Sequence, residues 1–342
     1  GVKKRILFAQ ISLISAGGGK AVAAWMIEAL KKEYELTLLT CHAVNFEAIN
    51  RHYGTSLKPS DFKVSLVPRP IQRAIDIIPI INRKSLLIWW CKSKRLQFDI
   101  LMAATELDLG SRGIQYVHYP RLGERRMQAP PRHRGLRHLL SLNRIQFYLW
   151  RVFSGFSFDR MLENKTLINS EWTKRLFYEV YGVEATTVYP PVPGNFTEIP
   201  WEKKEVGFVC IGRFCNQKRL PDIIEILAAV RSHDPNIHLH IIGSSQGCDQ
   251  EHYELVRKKA EEYGDWVHLH ENVSREELTD LVCRHRYGIH GKVDEHFGIA
   301  VAEMVRGGCI VFVPDSGGQM EIVGNETRLL YHTDEEAVEK IL

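Results

Sequence analysis

The sequence predicts an α/β protein built from two tandem parallel-sheet domains that face a central cleft. Three observations predict it. The chain has 342 residues, a two-domain length. Short apolar runs alternate with helical periodicity in both halves, the β-α-β rhythm of a parallel sheet with flanking helices. A Pro/Gly stretch, Pro190-Pro191-Val192-Pro193-Gly194, separates the two series. The expected domains are 1–193, carrying a basic insertion, and 194–325, with 326–342 read as a C-terminal helix cut short.

In the first half, 5–11 reads as a strand. The basic-then-apolar start resembles a signal peptide, but Gly17-Gly18-Gly19 and a helical pattern stand where a cleavage site would be. A loop at 17–20 leads to a helix over 21–30 and a strand over 36–40. Strands follow at 99–104, 114–118, 166–169 and 186–189, with Ser170 as an N-cap before Glu171. Segments 71–98 and 133–158 have no strand period. They are basic and rich in Trp, Ile, Leu and Phe, which suits amphipathic helices or a mobile insertion.

The second half repeats the scheme. Strands are expected at 206–211, 238–242, 267–270, 287–289 and 310–314. Helices are expected at 221–232, 253–263, 274–285 and 298–306. Ser274 and Glu277 have the spacing of a capping box.

Charge divides the chain. Residues 1–196 hold 29 Lys and Arg against 15 Asp and Glu; residues 197–342 hold 16 against 26. That asymmetry points to an anionic partner for the first half. Between Arg121 and Arg160 nine arginines face only Glu124 and Asp159, interleaved with Leu139, Leu140, Leu142, Ile145, Phe147, Tyr148, Leu149 and Trp150. A basic amphipathic helix of this kind suits an anionic membrane surface. A solvated basic face over ordinary core residues suits it equally. No apolar run approaches the roughly 20 residues that span a bilayer. The seven cysteines are scattered without a CxxC pair, so neither a zinc site nor a disulfide framework is expected. The four Asn-x-Ser/Thr sequons read as chance matches. The expected location is cytoplasmic, peripheral on the inner face of a membrane. RRM or OB aromatic spacings are absent, which argues against nucleic acid.

The segment Glu295-His296-Phe297-Gly298-Ile299-Ala300-Val301-Ala302-Glu303 carries the most chemistry. Two carboxylates eight residues apart return to nearly one helical face at about 100° per residue. The first would lie on a strand-to-helix loop and the second two turns into the helix, at the carboxyl edge of a sheet where such folds bind ligands. Gly212-Arg213 follows a strand, and Lys218-Arg219 precedes a helix. Two cations at a helix N-terminus make an anion site, although a solvated loop fits the same residues. Gly17-Gly18-Gly19-Lys20 would let backbone N–H groups approach a phosphate, or serve as a simple tight turn. It is neither GxGxxG nor a P-loop. No aspartate-rich metal motif stands out; Glu106-Leu107-Asp108 reads as a loop. No cofactor and no metal are expected.

Together these motifs resemble the retaining GT-B glycosyltransferases of family 4. The resemblance rests on Glu295-x7-Glu303, on Gly212-Arg213…Lys218 and on Gly317-Gly318…Glu321-Ile322-Val323. It covers 200–325 strongly and the first half weakly. Gly288-Ile289-His290, Glu295-His296-Phe297-Gly298-Ile299 and Tyr116-Val117-His118-Tyr119-Pro120 are similar to the dolichol-linked oligosaccharide mannosyltransferases. The membrane anchor of that subgroup is not read here, so the acceptor stays open.

The resemblance implies two Rossmann-like domains and a set of roles. Glu303 would hold the donor ribose hydroxyls. Arg213 and Lys218 would hold the diphosphate. Glu295 and the N–H groups of Phe297, Gly298 and Ile299 would hold the sugar. Val273 would meet the base, and His118 the C6 side of the sugar. By itself, a histidine in an apolar segment is more often structural. The donor is expected to be a nucleotide-diphosphate sugar, UDP-glucose before GDP-mannose, and the acceptor a glycan or lipid-linked hydroxyl. A nucleotide-sugar 2-epimerase would need a histidine–carboxylate set for proton transfer. A non-catalytic membrane-surface protein of this fold would not need the intact glutamates and cations.

Overall fold

The computed structural model describes residues 2–13, 18–77, 82–123, 142–244 and 248–342. They fall into two compact units, Gly1–Pro191 and Val192–Leu342.

The strands of the first unit are Arg5–Ala9 (β1), Glu35–Thr40 (β2), Lys63–Leu66 (β3), Ile100–Ala103 (β4), Gly113–Val117 (β5), Lys165–Ile168 (β6) and Thr186–Thr187 (β7). They form one sheet in the order β3-β2-β1-β4-β5-β6-β7, with every pair parallel. Ile6, Leu7, Phe8 and Ala9 are all buried, as a central strand covered on both faces requires. Their side chains alternate between two layers. Ile6 and Phe8 join a cluster with Ala23, Ala24 and Ile27 of the helix Gly18–Leu30. Leu7 and Ala9 join one with Leu86, Leu87 and Cys91 of the helix Arg83–Lys94.

In the second unit the strands are Glu205–Ile211 (β8), Leu239–Gly243 (β9), Val267–Glu271 (β10), His285–Ile289 (β11), Ile310–Pro314 (β12) and Leu330–Tyr331 (β13). Their order is β10-β9-β8-β11-β12-β13, again all parallel. Phe208 and Cys210 face one buried cluster, and Val209 and Ile211 face another. The terminal helix Asp334–Ile341 belongs to this unit, with Ala337 buried in the cluster that holds Leu220 and Ile224.

Several elements differ from the sequence reading. The first helix begins at Gly18, so Gly18, Gly19 and Lys20 form its first turn and are not a loop. The helix Phe46–Tyr53 and the strand β3 give no clear sequence signal. In β3 the two apolar residues, Val64 and Leu66, are exposed on a sheet edge.

The segment 71–98 is not an insertion. Leu86, Leu87 and Ile88 are fully buried, so the helix Arg83–Lys94 is core, whereas Ile71, Ile77 and Leu96 are exposed and residues 78–81 lie outside the described residues. In the helix Leu142–Ser154, Trp150 is buried while Ile145, Tyr148, Val152 and Phe153 are exposed. Gly17 and the basic stretch with Arg132, Arg134, Arg137, Leu139 and Leu140 lie outside the described residues. Among the described residues no helix is long and apolar enough to cross a membrane.

Candidate active site

Parallel strands place all their carboxyl ends on one edge, and the strand order of the second unit reverses between β8 and β11. A crevice opens at such a switch point. Lys218 ends the short turn Asn216–Lys218 after β8, and Glu295 sits in the loop after β11. Lys218 Nζ lies 2.8 Å from Glu295 Oε2, so one ion pair spans the switch point. Lys292, on the same loop as Glu295, lies 3.2 Å from Oε1.

His290 follows β11 directly and is buried. Its Nε2 is 3.3 Å from Glu295 Oε2, and its carbonyl accepts from the Tyr331 hydroxyl. Burial lowers the pKa of His290 against the pull of Glu295, so the neutral ring donates Nε2–H to the carboxylate. For Glu295 burial works against ionisation. The His290 hydrogen bond and the Lys218 and Lys292 charges outweigh it and hold the carboxyl well below the usual range.

The turn after β12 fixes this carboxylate's backbone. Gly317 has φ +82°, and a Cβ there would stand 2.3 Å from the Glu295 carbonyl oxygen. The Gly318 N–H donates to that same carbonyl at 2.7 Å. Gln319 is fully buried, and its Nε2 donates to the carbonyls of Lys292 and Ser316 at 2.9 Å each. The close approach leaves room only for glycine at 317.

Glu303 is placed differently from the sequence reading. The helix begins at Ile299, so residues 295–298 are not helical and Glu303 lies little more than one turn in. Glu295 and Glu303 therefore do not share one helical face. Glu303 is buried and paired with Arg275 Nη1, while Arg275 Nη2 donates to the Pro193 carbonyl. Burial raises the Glu303 pKa, and Arg275 opposes the rise.

Arg213 is exposed and has no ion pair among the described residues. Val273 is half-buried, on a loop whose Asn272 N–H donates to the Gly243 carbonyl at 2.9 Å. Phe297 is buried, and Gly298 precedes the helix Ile299–Arg306 without a side-chain cap. That helix end keeps its positive pole toward the loop of Glu295.

The remaining predicted residues form a separate group in the first unit. His118 follows β5 and packs on the first turn of the helix Gly18–Leu30; a Cβ on Gly19 would lie 3.2 Å from His118 Nε2. The His118 carbonyl accepts from Asn169 Nδ2 at 3.1 Å. Glu106 and Asp108 are buried and internally satisfied. Glu106 bonds the Tyr181 hydroxyl, and Asp108 pairs with Arg160.

Sequence reasoning missed Lys292, Gln319 and Arg275, and gave His290 no role. Lys292 had a local signal, a cation three residues before the glutamate. Arg275 reaches Glu303 only through the fold.

Residues 194–342 match the family model of glycosyl transferases group 1. The human GDP-Man:Man(3)GlcNAc(2)-PP-Dol alpha-1,2-mannosyltransferase is 28% identical over 217 residues, covering 58% of this chain and 44% of that protein. The Xenopus laevis enzyme of the same name is 30% identical over 202 residues, covering 54% of this chain and 40% of that protein. The chain thus spans less than half the length of these two homologues. Among solved structures, WaaG, a glycosyltransferase involved in lipopolysaccharide biosynthesis, superposes with a TM-score of 0.65 at 15% identity, over 98% of this chain and 89% of that one. Anabaena HepE in complex with UDP-glucose gives 0.64 at 15% identity, over 99% and 88%. At that identity the likeness shows the fold. Both units are those of a GT-B glycosyltransferase fold, and the second, from residue 194 onward, is a glycosyl transferases group 1 domain.

Proposed function

We propose that the protein transfers a hexose from a nucleotide-diphosphate sugar to a hydroxyl of a glycan or lipid-linked acceptor, with retention at the anomeric carbon. The Lys218–Glu295 ion pair across the β8/β11 switch point is the observation that carries this reading. Lys218 and the exposed Arg213 supply cations for a diphosphate, and Glu295 is held ionised to accept sugar hydroxyls. The relatives' names favour GDP-mannose as donor, with UDP-glucose second, which reverses the order drawn from the sequence. The net positive first half and the exposed Ile145, Tyr148, Val152 and Phe153 support an acceptor held at an anionic membrane surface. His118, seated against Gly19, keeps its proposed role toward the sugar.

In the proposed step the bond from the anomeric carbon to the phosphate oxygen breaks, and its electron pair leaves on the diphosphate. Arg213 and Lys218 stabilise that charge. The acceptor oxygen bonds to the same face of the carbon, and its proton passes to the departing phosphate oxygen. Three donors already engage Glu295, which makes it a poor nucleophile and supports this direct route over a covalent intermediate.

Thermal shift with GDP, UDP and their sugars, without added divalent cation, tests the reading. Nucleotide at 100 times Kd is expected to add about 2.7 kcal/mol. Stabilisation that appears only with added Mg²⁺ or Mn²⁺ would contradict a cation-held diphosphate. The two glutamates are expected to separate in the same assay. Glu303→Ala should weaken nucleoside diphosphate binding, whereas Glu295→Ala should leave it and lower turnover. Equal losses of diphosphate affinity would remove the distinction between ribose and sugar roles.

A further inference from the structure

The opposite edge of the second sheet carries a histidine cluster that the proposed transfer reaction does not use. Glu205 opens β8, His238 immediately precedes β9, His240 is its second residue, and His285 opens β11. One ligand-type atom from each of these four lies within 4.8 Å of every other. These are amino ends, roughly 20 Å along β8 from the carboxyl edge at about 3.3 Å per residue.

Three of the donors are already spaced as metal ligands. His238 Nε2 is 3.1 Å from His285 Nε2. Glu205 Oε2 is 3.4 Å from His238 Nε2 and 3.5 Å from His285 Nε2. Bonds of 2.0–2.1 Å to a tetrahedral zinc ion put ligand atoms about 3.3 Å apart.

Backbone carbonyls also set the tautomers. His285 Nδ1 faces the Leu281 carbonyl, and His238 Nδ1 faces that of Asn236 at 3.3 Å. A carbonyl only accepts, so both Nδ1 atoms carry the proton and both Nε2 atoms present lone pairs to each other. A carboxylate oxygen joins them. Such a convergence of acceptors is relieved by a cation. His240 engages His270 through Nδ1 at 2.7 Å, which leaves Nε2 as its free ligand atom. Outer contacts of this kind orient the ligands of known metal centres.

The surrounding chain accommodates the cluster. A Cβ on Gly207 would fall 2.3 Å from His238 Nε2, so only glycine at that position of β8 admits the imidazole. The pairing of β11 with β8 shifts register between His285 and Tyr287, an irregularity at the cluster itself. The buried Lys204 holds the carbonyls of Cys283 and Gly307 at 2.7 Å each, fixing the start of β11. Arg284 lies 3.5 Å from Glu205 Oε1, leaving Oε2 toward the histidines. Glu205 is 45% exposed while His285 is buried, so an ion has a way in from the Glu205 side.

We propose that Glu205, His238, His240 and His285 bind one zinc ion that ties together the amino ends of β8, β9 and β11. Three imidazoles and a carboxylate suit zinc by ligand type. The role is structural, on the edge away from the proposed transfer site.

The test uses the full chain without a polyhistidine tag, stripped of metal and titrated with Zn²⁺ against a chromophoric chelator. One zinc per chain is expected, with a rise in melting temperature. Cobalt in its place should give the intense visible bands of tetrahedral coordination. Because His285 is buried, the variants are made on the exposed side. Glu205→Gln with His238→Asn should weaken zinc by ~100-fold or more, while His332→Asn should leave it unchanged. No stoichiometric zinc, a pale octahedral cobalt spectrum, or equal affinity in the double variant would overturn the site. The wild-type cobalt spectrum decides even if the double variant does not fold.

Discussion

Lys218→Ala is expected to lower donor turnover by ~10²–10³-fold, the loss typical of removing one preorganised electrostatic contact to a developing oxyanion. Two effects combine. The leaving diphosphate loses a cation, and Glu295 loses the partner that spans β8 and β11 at 2.8 Å. Lys292 still pairs with Glu295 at 3.2 Å, so the carboxylate is not left alone and the fold should survive. The measurement is release of nucleoside diphosphate from GDP-mannose and UDP-glucose, with circular dichroism as the control for folding. A folded Lys218→Ala protein with normal turnover would show that another cation neutralises the leaving group.

Gly317→Ala is expected to be damaging although no side-chain function is lost. A Cβ at this position would meet the Glu295 carbonyl oxygen at 2.3 Å, and the φ of +82° is itself unfavourable for alanine. Left-handed strain of 1–2 kcal/mol and overpacking of 1–3 kcal/mol together give roughly 2–5 kcal/mol. For a unit of this size the melting temperature should fall by on the order of 10 °C. Activity should fall further than stability alone requires, because the displaced backbone carries Glu295. Gly324, also at positive φ but with nothing within 4 Å of a Cβ, is the matched control. Equal effects of Gly317→Ala and Gly324→Ala would mean that the turn does not hold Glu295.

The second unit was readable because its signals are local. Strands β8, β9 and β12 are largely apolar runs bounded by turns, β10 alternates Val267 and Leu269 with His268 and His270, and the Ser274/Glu277 capping box forms as its spacing implies. The first unit was harder. Its edge strand β3 exposes its apolar residues, and the apolar run at 86–91 reads alike as core or as membrane face until β1 packs on it. Periodicity carried the Glu295–Glu303 argument too far, since the helix starts only at Ile299. What completes each site comes from far along the chain. Lys218 and Glu295 are 77 residues apart, and His238 and His285 are 47 apart. Pairings across such separations depend on strand order, which no local pattern encodes.

Calorimetric titration with nucleoside diphosphates and monophosphates decides whether the carboxyl edge of the second sheet holds a diphosphate through Arg213 and Lys218. GDP or UDP is predicted to bind the wild type at least ~10-fold more tightly than the matching monophosphate, a difference of about 1.4 kcal/mol. That preference should collapse in the Arg213→Ala/Lys218→Ala double variant. Equal affinity for mono- and diphosphate in the wild type, or a preference that survives in the double variant, would contradict that binding mode.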